Sequence, residues 1–190
     1  MSDVSKVAAG KPAIGGAISV APLGTTLPTD ASTALSGSFT NLGYVSSEGI
    51  TKGMPRETTE IKAYGGETIL ATQTSFSNTF KFKLVEYLNV DVKKVALGDA
   101  NVSGAIDTGI TALVNSKELE EHVYVIDNIV HGAVERIVIP NGKVTEVGEI
   151  VYVDNDVIGY PITITALPDT YGQTSYEYTI KVTGATGATE

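Results

Sequence analysis

Apolar and polar residues alternate with a period of two along much of this chain, and that pattern predicts strands. The cleanest run is Thr79-Phe80-Lys81-Phe82-Lys83-Leu84-Val85, with Phe80, Phe82 and Leu84 on one face and both lysines on the other. Shorter runs over 17–20 and 39–46 predict two earlier strands, the second with Leu42 and Tyr44 alternating against Asn41 and Gly43. The pattern lapses over 47–56, at Glu48-Gly49 and Met54-Pro55, which predicts a break. Segments 58–63 and 68–75 flank Gly65-Gly66 and predict a hairpin, because glycine accepts the positive φ that two-residue turns need. One helix is expected over 89–97. Asn89 caps it, Asp91 sits in its first turn, Lys93-Lys94 lie toward its negative end, and Gly98 follows. Leu88, Val92, Val95 and Ala96 recur at helical spacing, an apolar stripe suited to covering a sheet.

Beyond Gly98 the pattern predicts strands over 110–114, 123–130, 134–139, 144–153, 160–166 and 176–182. Turn residues separate them at Pro140-Asn141-Gly142, Asp154-Asn155-Asp156 and Pro168-Asp169-Thr170-Tyr171-Gly172. Many short strands with a single flanking α-helix predict a mainly β fold, a β-sandwich or partly closed barrel carrying a long loop-hairpin. At 190 residues one domain is expected, over 16–183. Small polar residues over 1–15 predict a flexible N-terminal arm, and the Gly/Ala/Thr repeat over 184–190 a flexible C-terminal tail. The polar excursion between Ser46 and Thr68 is long for an isolated domain, where loops beyond about 12–15 residues tend to be functional. That length marks it as an assembly element.

Composition narrows the chemistry. A hydrophobic fraction of 42% with 18% charged residues is that of a globular domain. The chain has no cysteine, which excludes disulfides, thiolate metal sites and cysteine nucleophiles. No apolar run approaches the roughly 20 residues of a membrane span, and no apolar segment follows the N-terminus as in a secretory signal, so no membrane partner is expected. The net charge of −9 is unevenly placed: residues 1–97 carry +1 and residues 98–190 carry −10. A nucleic-acid binder concentrates Lys and Arg where phosphates sit, and this chain does the reverse. Two halves of contrasting charge suit head-to-tail self-association instead.

No candidate site survives inspection as catalytic. His122 and His131 are nine residues apart, so on one strand, at roughly 3.3 Å per residue, they stand about 30 Å from each other and share no metal. Asp154-Asn155-Asp156 superficially matches the start of a calcium loop, but Ile158 and Thr165 fall where oxygen ligands and a bidentate Glu are required. A polar hairpin turn is the better reading. No nucleophile elbow or P-loop is present, and Glu118, Glu120 and Glu121 read as a solvated charge run. Neither an enzyme nor a cofactor is expected.

Four segments carry a resemblance. They are Asn41-Leu42-Gly43-Tyr44-Val45-Ser46-Ser47-Glu48-Gly49-Ile50, then Glu60-Ile61-Lys62-Ala63-Tyr64-Gly65-Gly66-Glu67, the upstream stretch from Ala21-Pro22-Leu23-Gly24 to Asp30, and Asn115-Ser116-Lys117-Glu118-Leu119-Glu120-Glu121. In order and spacing, across about 15–182, the chain resembles the major tail proteins of long, non-contractile-tailed bacteriophages. The resemblance implies a tail-tube-type β-sandwich with one helix, whose hexameric rings stack into a hollow tube that conducts viral DNA into the host. It implies a place in the virion tail, with assembly in the host cytoplasm. Partners would be other copies of the chain and tail proteins such as the tape measure and the tail terminator, while DNA passes without specific binding. By the same resemblance Glu48, Gly49, Tyr64, Gly65 and Gly66 are inter-subunit residues. Tyr64 stands where Trp is common in the family, and Tyr serves similarly as an amphipathic anchor. Carboxylates of the acidic half would line the lumen and repel the DNA backbone, with Glu146 and Glu149 as candidates on opposite faces of one strand unless Gly148 marks a bulge. The competing reading is a β-sandwich adhesion module on a virion or cell surface.

Overall fold

Strict alternation makes Thr79–Leu84 a strand whose Phe80, Phe82 and Leu84 are buried while Lys81 stays exposed. The computed structural model describes residues 8–13 and 16–181, and most of them follow the same rule. In chain order the strands are β1 (Gly10–Pro12), β2 (Ile18–Pro22), β3 (Thr40–Asn41), β4 (Val45–Gly53), β5 (Arg56–Lys62), β6 (Thr68–Phe76) and β7 (Thr79–Leu84). After the helix α1 (Val90–Leu97) come β8 (Val102–Ala105), β9 (Gly109–Ala112), β10 (Glu121–Val130), β11 (Ala133–Val147), β12 (Tyr160–Ala166) and β13 (Tyr176–Lys181). The fold is mainly β, as expected.

Nine strands form the main sheet in the order β3-β2-β10-β11-β12-β7-β4, with β1 added to β10 and β13 to β11. The long hairpin β10–β11 is its spine. On its outer edge β10 pairs with β2 through 122–126 and with β1 through 128–130. Likewise β11 pairs with β13 through 133–138 and with β12 through 142–147. The sheet bends back over itself without closing into a barrel. Where β4 approaches the other half, Lys52 pairs with Glu177 of β13, and a Cβ placed on Gly49 would lie 4.0 Å from Pro12 of β1. Two hairpins, β5–β6 and β8–β9, stand apart as separate two-stranded sheets.

Inside the bend lies one core: Phe80, Phe82 and Leu84 from β7, Ile162 and Ile164 from β12, Tyr124 and Ile126 from β10, Ile137 and Ile139 from β11, and Ile18 from β2. Each such side chain, fully buried, stabilises the fold by about 1.5–3 kcal/mol. Helix α1 closes one side with Val92, Val95 and Ala96. Its cap is as expected, since the Asn89 side chain accepts a hydrogen bond from Asp91 N–H and Gly98 N–H donates to Lys94. Leu88 precedes the cap and stays exposed, so it does not join the stripe.

The opposite face of β10–β11 is also covered, which explains four consecutive buried residues, Val123 to Ile126. Segment 23–39 lies over it, held by Arg136. That guanidinium, in a residue only 6% exposed, donates to both Asp127 carboxylate oxygens (2.7 and 3.1 Å) and to the carbonyls of Asp30 (3.2 Å) and Thr33 (2.7 Å). The Asp30 carboxylate shapes the segment by accepting from Ser32 and Thr33, and those bonds, the Thr33 amide first, hold its carboxyl well below the usual range.

Several expectations need correction. The break expected over 47–56 is mostly strand. β4 runs from Val45 to Gly53 against β7, and its pairing jumps from Val45↔Leu84 to Ile50↔Phe82. Glu48-Gly49 lies in this bulge, where Gly49 adopts φ +76°, a conformation glycine accepts without a Cβ clash. Over 39–46 only Thr40–Asn41 pairs before the chain turns at Gly43, because the Asn41 side chain takes Gly43 N–H (2.7 Å) in place of a ladder bond. Leu42 is therefore buried while Tyr44 is exposed.

Pro140-Asn141-Gly142 makes no turn and lies inside β11. The β10–β11 register shifts there, from Tyr124↔Ile139 to His122↔Gly142, and an irregularity is where a strand tolerates proline. Gly142 has a packing reason: a Cβ there would lie 2.5 Å from the Tyr124 ring. The strand expected over 144–153 ends at Val147, so Asp154-Asn155-Asp156 falls in a long connection between β11 and β12 rather than a tight hairpin turn. Glu149 consequently sits outside the strand, and the bulge near Glu146 falls between Val144 and Glu146, not at Gly148. The glycine hairpin is a three-residue connection, Tyr64-Gly65-Gly66, closed by Ala63 N–H to Glu67 (2.7 Å), not a two-residue turn. β8 was not foreseen. Within the arm expected over 1–15, residues 10–12 form β1; residues 1–7, 14–15 and 182–190, including the expected tail, lie outside the described residues.

Candidate assembly surface

Every residue of β5 and β6 is exposed. The hairpin is held by its own ladder, from Arg56↔Phe76 to Lys62↔Thr68, and by local side-chain contacts. The Arg56 guanidinium stacks 4.3 Å from the Phe76 ring and donates to Gln73 (3.0 Å), and Thr68 donates to Glu60 (3.1 Å). An isolated two-stranded hairpin is marginal in water, because it buries no apolar face. This one also exposes apolar side chains that a solvated hairpin has no use for. Ile61 and Leu70 stand opposite one another, with Ile69 beside them at a bulge and Tyr64 fully exposed at the tip. Met54 is exposed at the hairpin's base.

The inter-subunit residues expected from the sequence fall into two places. Tyr64, Gly65 and Gly66 form the hairpin tip, and an added Cβ on either glycine would meet no neighbouring atom. Glu48 and Gly49 lie instead on the main sheet, lining a shallow groove of about 270 Å³ together with Lys81, Lys83, Glu146 and Thr163. The structure thus joins Glu146 to Glu48 and Gly49, and separates all three from the tip. Glu146 is exposed and accepts from the Thr163 hydroxyl (3.2 Å), while Glu149 is exposed in the connection that follows. That face of β7 carries lysines as well, and Lys83 pairs with Asp156 at 3.5 Å.

The remaining polar clusters are structural in their geometry. Lys93 is buried with its ammonium 3.9 Å above the Tyr87 ring and 3.1 Å from the Tyr160 hydroxyl, and Tyr87 stacks on Tyr160 at 5.1 Å. The Tyr152 hydroxyl meets that of Tyr87 at 2.7 Å, which ties the connection 148–159 down beside α1. Asp169 organises the turn before β13 by accepting from Tyr171 N–H, Gln173 N–H and the Tyr176 hydroxyl (2.8, 2.9 and 2.6 Å). The Tyr176 bond lowers the Asp169 carboxyl below its ordinary value and pushes the Tyr176 phenol up to about 12. His122 bonds Asp99 (3.1 Å) near one end of β10, and His131 lies in the turn past the other end with φ +35°. Glu118 pairs with Lys143, whose hydrogen bond lowers its carboxyl, while Glu120 receives Asp99 N–H (3.4 Å), so the glutamate run does not converge. Among the described residues no three His, Asp or Glu side chains gather as a metal site, and no helix is long and apolar enough to cross a membrane.

A hairpin with an exposed apolar surface, standing apart from the main sheet, suits an assembly subunit. A family model described as "Phage tail tube protein" matches residues 7–187. The chain belongs to the phage tail tube protein family. No curated protein matches it. Membership in this family makes the chain a structural component of the virion tail that assembles with its own copies and with other tail proteins. The hairpin tip was legible beforehand through Gly65-Gly66, whereas the apolar surface of β5–β6 was not, because its Ile and Leu positions read equally well as core.

Proposed function

We propose that copies of this tail tube protein form hexameric rings, and that β5–β6 packs on a neighbouring copy to stack the rings into a hollow tube for viral DNA. The observation that carries this reading is the hairpin itself: a two-stranded sheet whose Ile61, Ile69, Leu70 and Tyr64 are all exposed. Covering them removes apolar area from water at about 25 cal/mol per Å². Glu48 and Gly49 act in this reading on β4, the end strand of the main sheet. Glu146 and Glu149 face the lumen in this reading, and carboxylates there keep phosphates from adhering as DNA slides. The other tail proteins that meet the tube include, in this reading, the tape measure and the tail terminator. Assembly takes place in the host cytoplasm.

The test removes the hairpin without touching the main sheet. Thr51, Lys52 and Gly53 pair with β7, so the excision must start later, joining Glu57 to Ser75 (register partners) through a short Asn-Gly turn. The shortened chain is expected to remain a folded monomer by circular dichroism and to form no tubes under negative stain. Tubes of normal length from that variant would overturn the reading.

A further inference from the structure

The hairpin β5–β6 has two unlike faces. Residues paired across an antiparallel ladder share a face, so the register sorts the side chains. One face carries Arg56↔Phe76, Thr58↔Gln73, Glu60↔Ala71 and Lys62↔Thr68, and the other Glu57↔Ser75, Thr59↔Thr72 and Ile61↔Leu70. The first face is polar and bound to itself. Arg56 covers the Phe76 ring at 4.3 Å and donates to Gln73, while Glu60 accepts from Thr68 (3.1 Å) and pairs with Lys62 (3.9 Å). The second face holds a single charge, Glu57, at its base. Beyond it come only Thr59, Thr72, Ile61 and Leu70, the last two 49% and 53% exposed.

These faces continue rows of the main sheet. Three residues on each strand separate Gly53↔Thr79 from Arg56↔Phe76, and Ser77 N–H bonds the Pro55 carbonyl (3.2 Å) between them. β4–β5 and β6–β7 are therefore one ribbon in a single register, interrupted at Pro55, which has no N–H to return. Its polarity changes sides at that break. Before the break, the row of Ile50↔Phe82 and Lys52↔Phe80 lies on the core side, and the row of Thr51↔Lys81 and Gly53↔Thr79 on the outer side. Beyond it, the core-side row leads into the polar face of the hairpin, and the outer row into the face of Ile61 and Leu70.

We infer that β5–β6 docks on a second copy through its Thr59, Thr72, Ile61 and Leu70 face alone, while the Arg56 and Glu60 face stays in solvent. The ribbon then buries one side in its own core and the opposite side in a neighbour. The inference rests on the reading that copies associate through β5–β6. A second copy is the occupant because the chain, as a tail tube protein, assembles with its own copies. The chemistry of the two faces decides which one it covers. β-branched Thr and Ile suit a packed sheet surface, and covering Ile61 and Leu70 removes apolar area from water. Covering the other face would strip solvent from Arg56, Glu60 and Lys62, which costs more than their existing contacts return.

Cysteine labelling reads the two faces separately, since the chain has no native cysteine. Thr58→Cys and Ala71→Cys mark the polar face, Thr59→Cys and Thr72→Cys the other. Each full-length variant is labelled with a maleimide, as the free subunit and as tubes assembled from the purified chain. Because a thiol reacts only where the reagent reaches it, assembly should slow labelling roughly tenfold or more at 59 and 72, and less than about twofold at 58 and 71. Any other pattern of protection overturns the face assignment and leaves association through β5–β6 standing. Protection at none of the four overturns both, as does failure of the unmodified chain to assemble. A matched pair of double variants gives a second measurement. Thr59→Lys with Thr72→Glu, and Thr58→Lys with Gln73→Glu, each place opposite charges across one rung, so both keep the hairpin's ladder. The first should raise the concentration needed for assembly roughly tenfold or more, because it takes charges out of water at the interface. The second leaves its charges in solvent and should stay within about twofold of the unmodified chain. Equal effects from the two, or the larger effect from the second, refute the inference.

Discussion

Replacing Arg136 by Met keeps the unbranched apolar stem of the side chain and deletes its guanidinium. In the folded chain that group makes two charge-assisted bonds to Asp127, at 2.7 and 3.1 Å, and two to the carbonyls of Asp30 and Thr33. Breaking a fully buried ion pair by removing one partner costs about 3–5 kcal/mol, because the other charge is left without compensation. Asp127 retains 25% of its side-chain exposure, so water recovers part of its solvation and the low end applies. The expected loss is about 3 kcal/mol, which for a domain of this size lowers Tm by roughly 6–12 °C. Urea unfolding measures the total, and amide exchange locates it. The largest increase in exchange should fall in segment 23–39, since the same guanidinium holds its Asp30 and Thr33 carbonyls. A double-mutant cycle with Asp127→Leu separates the pair from its surroundings, and the double variant should recover much of the loss because it leaves no buried charge. A loss below about 1 kcal/mol with unchanged exchange over 23–39 would refute the claim that Arg136 pins this segment.

Other perturbations read other parts of the fold. Phe80→Ala empties the middle of the core and should cost about 3–5 kcal/mol in the same urea assay; a loss under 1 kcal/mol would place Phe80 outside the core. Gly142→Ala drives a Cβ to 2.5 Å from the Tyr124 ring and should cost about 1–3 kcal/mol by overpacking; a neutral result would mean the β10–β11 crossing is looser than described. The Asp169 carboxyl is depressed chiefly by the Tyr176 hydroxyl, so its stabilisation is present above an unfolded value near 4 and fades as pH falls through the lower folded value. Protection from amide exchange in segment 167–175, taken relative to the intrinsic rate at each pH, should therefore fall on acidification in the native chain, and depend less on pH in Tyr176→Phe. The partner bond acts oppositely at high pH. Tyr176 contributes fully below its ordinary value of 10.0 and loses that contribution as pH rises through about 12. The ultraviolet tyrosinate difference between native and Tyr176→Phe chains should titrate there, and a midpoint near 10.0 would contradict the bond.

Local chemistry was legible where one residue decides the outcome by itself. Alternation placed β7, and the Asn89 cap with Gly98 placed α1, because neither depends on distant parts of the chain. Pro140-Asn141-Gly142 misled because turn chemistry is a local preference, and here the Tyr124 ring across the strand fills the space over Gly142. Glu48-Gly49 misled for a related reason: a bulge and a break share the same residues, and only pairing with β7 tells them apart. Lapsed alternation over 148–159 was hidden because Ile150 to Val153 are apolar, although Tyr152 serves to anchor a connection rather than extend a strand. Of the candidate surface, the glycine turn of the hairpin was visible in the sequence; the exposure of every residue of β5 and β6 was not, since it depends on where the main sheet lies.

The most direct test of the central claim is a helical reconstruction of the purified chain after assembly. The account predicts hollow tubes of stacked six-membered rings, with β5–β6 of each subunit buried on a neighbouring copy, and carboxylates, Glu146 and Glu149 among them, lining a net negative lumen. Monodisperse monomers at high concentration, tubes in which β5–β6 remains solvent-exposed, or a lumen dominated by Lys and Arg would contradict it.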